Sequence, residues 1–219
     1  MNKVSAKEAL KKLIDGNRRF SSERQKHPRQ NKDRILRTVK IHDPFAVVIG
    51  CSDSRTPPEI IFDQGLGDLF TIRAAGNTVD NVCVGSVEYA VEHLGVELVL
   101  VLGHKNCGVF KTAASGDDVH HHLGSLVATA QKAVSIAKTK PGCIIENAVK
   151  ENVSILIKKL ENDSPTLHKY IKKGKLKIVG GYYDLETGKV EMLKKHQGIK
   201  ISKLTKQVSK HPNCQICKN

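Results

Sequence analysis

Two short strings bring chemically useful residues together: Gly50-Cys51-Ser52-Asp53-Ser54-Arg55 and Gly103-His104-Lys105-Asn106-Cys107-Gly108. Each follows an apolar run that reads as a buried strand, and in open parallel sheets ligands bind beyond the carboxyl ends of the strands. Cys51, His104 and Cys107 therefore converge on one edge, two donors from a single turn and the third from another strand end. Zinc favours sulfur and nitrogen at tetrahedral corners, and three protein ligands leave the fourth corner for water, the catalytic rather than the structural pattern. Asp53 stands close enough to Cys51 to reach the metal or to accept a hydrogen bond from its water. Arg55 can grip that carboxylate in a fork and keep it ionised. The Cys-x-Asp-x-Arg string thus has the parts of a water-activating site. Each residue also has a plainer reading. A cysteine after a strand is commonly a small buried hydrophobe, a loop histidine is usually solvated, and an Asp-x-Arg bridge often only fixes a loop. Two strand ends carrying complementary donors argue against the plainer reading.

The elements that must position these residues follow from periodicity. Ser5-x-x-Glu8 is a capping box, with Val4 as a staple candidate and Leu10, Leu13 and Ile14 at helical spacing, so a helix begins there. Ser21 to Lys40 is highly charged and apolar-poor, which predicts an exposed, partly helical connector that leans on something else, a partner subunit being one candidate. Phe45 to Ile49, Leu69 to Ala74 and Leu98 to Leu102 read as strands. Helices are expected over Val84 to Leu94, Leu123 to Ala137 and Ile145 to Leu160. Lys175 to Gly180 predicts a further strand, and Tyr182 to Leu185 with Lys189 to Met192 a hairpin turning at Glu186-Thr187-Gly188. Strands alternating with helices imply an α/β fold: a mainly parallel central β-sheet flanked by helices, with an N-terminal helical arm and a C-terminal hairpin. The expected organisation is a single domain over 1–219, comprising an arm (1–40), a core (41–193) and a loosely held basic tail (194–219).

Composition narrows the function classes. With 39% hydrophobic residues in a 219-residue chain, wholesale disorder is excluded. The apolar runs are far shorter than the ~20 residues a membrane helix needs. The start lacks an apolar signal region, which makes the cytoplasm the default compartment. Lys+Arg 36 against Asp+Glu 22 gives a net charge of +14, a field that attracts anions from nucleic acid to small oxyanions. The lysines are spread along the chain, and five Phe, four Tyr and no Trp offer little for base stacking, so no nucleic-acid partner is expected.

Cys51-Ser-Asp-Ser-Arg55 with the following Thr56 to Phe70, then Ile72-Arg-Ala-Ala-Gly-Asn77, Glu88-Tyr-Ala-Val91 and Gly103-His104-Lys-Asn-Cys107-Gly108, resemble the β-class carbonic anhydrases. The likeness is dense from Pro44 to Lys111 and looser through Ser164-Pro165 and the Gly181 to Gly188 hairpin. It implies reversible hydration of CO2 to bicarbonate and a proton, with one Zn2+ per chain on Cys51, His104 and Cys107. It further implies zinc-bound hydroxide oriented by an Asp53–Arg55 dyad. The Gly108 N–H would position bicarbonate, and Phe70 and Tyr89 would line the pocket. In some members the Asp swings onto zinc at lower pH and closes the site. The resemblance also implies that the N-terminal helix embraces a second subunit, with the site near the interface of a homodimer or a multiple of dimers.

Two positions depart from the family pattern. His42 stands where many relatives carry a Gln that bonds the substrate. Val48 stands where the subgroup with a regulatory bicarbonate site carries Trp, although Gly50 and Arg73 match. Other features have weaker claims: Cys214-x2-Cys217 lies in a lysine-rich stretch without a second pair, Cys83 and Cys143 read as structural, and His120-His121-His122 as a solvated loop. Gly65-x-Gly67 lacks the rest of a dinucleotide fingerprint. Rival functions are a hydrolase of CS2 or COS, a non-catalytic zinc or bicarbonate sensor, and a nucleic-acid binder.

Overall fold

The computed structural model describes residues 3–193. Five strands form one sheet in the order β2-β1-β3-β4-β5, with β1 Ala46–Gly50, β2 Leu69–Arg73, β3 Leu98–His104, β4 Lys177–Tyr183 and β5 Val190–Met192. The first four pair in parallel, and β5 runs antiparallel to β4. The expected α/β architecture, mainly parallel and flanked by helices, is therefore present. The basic stretch 194–219, with Cys214 and Cys217, lies outside the described residues.

β1 and β3 are buried at every position, because helices cover both faces of the sheet. Val47, Ile49, Val99 and Val101 face one apolar layer with α4 (Asn81–Glu92), α7 (Ile144–Asp163) and α8 (Pro165–Lys172). Ala46, Val48, Leu98 and Leu100 face the other, under α1 (Ala6–Ser21). Each fully buried Val, Ile or Leu contributes about 1.5–3 kcal/mol relative to exposure. A third apolar group joins α5 (Gly108–Ser115), α6 (His121–Ala137) and α7 around Cys51 and Cys107, so the sheet edge that carries the donors is roofed by helices. Gly103 lets α7 approach closely, since a Cβ there would lie 2.6 Å from Val149 Cγ1.

The capping box of α1 forms as expected: Glu8 N–H donates to Ser5 Oγ and Ser5 N–H to Glu8 Oε2. Elsewhere the boundaries moved. α4 begins at Asn81 rather than Val84 because the Asp80 side chain caps it, accepting from Cys83 N–H at 2.8 Å. The expected strand Lys175 to Gly180 and the first arm of the hairpin are one strand, β4, which keeps its parallel ladder with β3 through Tyr183 while receiving β5. The connector leans on its own chain. Its short α2 (Lys32–Thr38) buries no residue, but Arg29 and Arg34 grip Asp68, and Asp63 accepts from the backbone N–H groups of Lys26 and His27. Short α3 (Pro58–Ile61), α5 and α8 were not legible from periodicity, since one or two turns are too few to display it.

Candidate metal centre

β1 and β3 are hydrogen-bonded neighbours, so their exits lie side by side. Cys51 follows β1, His104 ends β3, and Cys107 is the N-cap of α5. The Sγ of Cys51, a ring nitrogen of His104 and the Sγ of Cys107 all lie within 4.8 Å of one another, and all three residues are buried. His104 Nδ1 is 2.9 Å from the Lys105 carbonyl, which can only accept, so the proton belongs on Nδ1 and the Nε2 lone pair is free. That Nε2 is buried and has no hydrogen-bond partner. An unpaired buried acceptor beside two thiols is costly unless a cation completes it, and a ligand histidine whose other nitrogen is held by a carbonyl is the usual arrangement at zinc. The donor set therefore fits a zinc ion.

The thiols share their charge unequally. Cys51 is drawn down to about 4, chiefly by its hydrogen bond with Cys107 and, against the pull of burial, by His104 and the backbone N–H groups of Asp53 and Gly76. Those two N–H groups donate to Cys51 Sγ at 3.4 and 3.3 Å. Cys107 is pushed up by Cys51 and by burial, while N–H groups at the head of α5 oppose the shift. Two adjacent thiolates repel each other, and a divalent cation removes that repulsion.

Asp53 lies beside this cluster. Arg55 donates to it three times, from Nε at 2.9 Å, Nη2 at 2.6 Å and its backbone N–H at 2.9 Å. The Arg55 guanidinium holds the carboxyl well below the usual carboxylate range, outweighing desolvation. Asp53 Oδ2 lies 4.0 Å from His104 Nε2, so the carboxylate turns one oxygen toward the open lone pair while its grip on Arg55 is intact. Gly108 heads α5 next to Cys107, and nothing would meet a Cβ there within 4 Å, so open space adjoins it.

Phe70 and Tyr89 are placed differently. Phe70 pairs with Val47, three residues before the end of β2, and stacks between His42 and Tyr89 with ring centroids 6.3 Å from each. Tyr89 in turn lies 5.1 Å from His93 and is 48% exposed. Within one chain these rings form a separate aromatic run on the β2 side of the sheet. Residues at the candidate centre that the spacing of the donors does not single out are Arg73, Gly76 and Asn77, whose hydrogen bonds go to backbone carbonyls or thiol sulfur of the donor-bearing segments, and Asn152, which donates to the Gly76 carbonyl. The signal that could have flagged one part of this corner is the Gly76-Asn77 pair directly after a strand, a turn signature. Cys83 and Cys143 lie half-buried, and His120 pairs with Asp118 on the exposed approach to α6.

A family model described as carbonic anhydrase matches residues 46–190. A carbonic anhydrase of Mycolicibacterium smegmatis is 36% identical over 201 residues, covering 90% of this chain and 96% of its own length. A tetrameric β-carbonic anhydrase of Sordaria macrospora superposes with TM-score 0.68 at 27% identity, over 73% of this chain and 85% of its own. The β-carbonic anhydrase of Coccomyxa, in complex with acetazolamide, gives TM-score 0.65 at 25% identity, over 84% and 86%.

Proposed function

Because this chain belongs to the β class of the carbonic anhydrase family and is a lyase, we propose that it performs CO2 + H2O ⇌ HCO3− + H+ with one zinc ion per chain on Cys51, His104 and Cys107. The observation that carries the metal assignment is the buried, unpartnered Nε2 of His104, aimed at two thiols and fixed in tautomer by the Lys105 carbonyl.

When bound, zinc acts as a Lewis acid that polarises water and lowers its pKa. The protein's own groups do the rest. Asp53, kept ionised by Arg55, can only accept hydrogen bonds, so it orients the attacking water by taking one O–H and leaving a lone pair toward CO2. Arg55, 54% exposed, grips both Asp53 oxygens so that Oδ2 stops 4.0 Å short of His104 Nε2, and it lets solvent approach. The first N–H of α5, at Gly108, stands at the positive end of the helix dipole, which favours developing negative charge on bicarbonate oxygen. The closure of the site by Asp53 remains accessible to the same geometry, since only the bonds to Arg55 hold the carboxylate away.

The reading extends to assembly. β2 is a sheet edge, and beside it Val82 is 77% and Tyr89 48% exposed. A second copy of the chain covers this aromatic face in the proposed homodimer, which sedimentation equilibrium checks.

The deciding experiment is stopped-flow CO2 hydration across pH 6.5 to 9 with zinc measured on the same sample. Turnover with about one zinc per chain, rising with pH, supports the proposal. Stoichiometric zinc without turnover at any pH overturns the activity and leaves the metal site standing.

A further inference from the structure

We infer that the corner Arg73–Asn77, between β2 and α4, holds all three donor-bearing segments in register, with Arg73 and Asn77 as positioning residues; the inference rests on the zinc reading above. The corner touches each segment by a different contact. Arg73 Nε donates to the Cys51 carbonyl at 2.8 Å and Nη2 to the Asp53 carbonyl at 2.6 Å, so one planar fork orients the peptides on both sides of Cys51-Ser52-Asp53. Gly76 N–H donates to Cys51 Sγ itself at 3.3 Å. Asn77 Nδ2 donates to the Leu102 carbonyl at 2.7 Å, two residues before His104. The third segment is met by packing: a Cβ on Gly76 would lie 2.9 Å from Val109 Cγ1, two residues after Cys107.

The backbone of the corner is specialised for this. Gly76 has φ +64 and Asn77 φ 57, left-handed conformations that glycine and asparagine tolerate best. Asn77 is 3% exposed, and Asn152 of α7 donates from behind to the Gly76 carbonyl at 3.3 Å. The strand ladder that joins β1 to β3 ends at the Gly50–Leu102 pair, before any donor. A lysine at 73 keeps the charge but loses the rigid planar fork that fixes both carbonyls in one geometry.

Zinc release into excess chelator tests this on wild type, Arg73→Lys, Asn77→Ala and Asn17→Ala, together with the thiolate-to-metal absorption band of each cobalt-substituted protein. Asn17 is a control of similar burial, 6% exposed, that ties α1 to the Ile61 and Gly188 carbonyls and to Val190 N–H, away from the site. Arg73→Lys and Asn77→Ala are expected to release zinc about 10- to 100-fold faster and to shift the cobalt band. Asn17→Ala is expected to lower Tm while keeping wild-type release and band. Should Asn77→Ala fail to fold, Arg73→Lys, at an exposed position, carries the test alone. Wild-type release and an unshifted band in the folded corner variants would overturn the inference, as would equal acceleration in Asn17→Ala. A wild type that takes up no zinc overturns the metal reading itself.

Discussion

Aspartate–arginine pairs are built differently at the connector and at the sheet edge of this molecule. Where the connector docks on the core, Asp63 accepts from Arg19, Lys26 N–H and His27 N–H, and Asp68 accepts from Arg29, Arg34 and Gly65 N–H. Their side chains are 1% and 8% exposed, and each joins segments remote in sequence. At the sheet edge, the hydrogen bonds to the Asp53 carboxylate come from Arg55, two residues away, and the carboxylate is 17% exposed. A carboxylate shared with residues from distant segments cannot move without opening the fold. One held by a single local partner can turn once that partner lets go, which opens an oxygen to another proton or cation. The proposed functional meaning of the Asp-x-Arg string is supported by this contrast in how many segments share the carboxylate.

The sharpest way to break the contrast is to remove the donors. Cys107→Ala is expected to lose zinc and turnover together, with zinc content by atomic absorption as the check; zinc retained at one per chain would unseat the ligand set. Asp53→Asn keeps its shape and is expected to keep zinc while losing about 10²- to 10⁴-fold in kcat, the usual weight of a positioned acid–base group. Full activity in that variant would return Asp53 to the structural class.

Asp63→Ala should show the opposite profile. It strands Arg19 and two backbone donors, so about 3 kcal/mol of stability is lost in urea titration while kcat per folded molecule holds. A fall in kcat instead would erase the distinction between the regions.

Acid titration sharpens the same point. Burial raises the Asp63 carboxyl, but Arg19 and the Lys26 and His27 N–H groups outweigh it and leave the group below its usual value. A depressed folded-state carboxyl contributes stability that is full above the unfolded value near 4 and is lost as pH falls through the folded one. Wild-type Tm should therefore decline below about pH 4, and Asp63→Ala should flatten that decline. The smallest effect belongs to Lys11→Ala, which breaks an exposed i,i+4 pair with Asp15 worth about 0.3–0.5 kcal/mol, and thermal melts should scarcely register it.

Much of this was legible before any fold was known. Buried strands announce themselves as β-branched runs, and donors directly after such runs fall at a sheet edge, so Cys51, His104, Cys107, Asp53 and Arg55 could be gathered from spacing and residue type. The family likeness added Gly108, which does sit at a helix head beside open space, and Phe70 with Tyr89, which one chain keeps in a run of their own. Arg73, noted only as matching the regulatory-site pattern, and Asn77 carry no mark as holders of the donor segments, because their partners are carbonyls, and every residue has one.

What the sequence determined by itself was local and additive: the capping box of α1, the identity of the buried strands, the kinds of donor and the family they resemble. Tertiary structure alone decided that β4 runs unbroken into the hairpin, that the connector rests on Asp63 and Asp68, and that one corner meets all three donor segments. Those outcomes depend on hydrogen bonds between groups far apart in the chain. Such bonds are directional and short-ranged, so they exist only once strand order has brought the partners within about 3 Å.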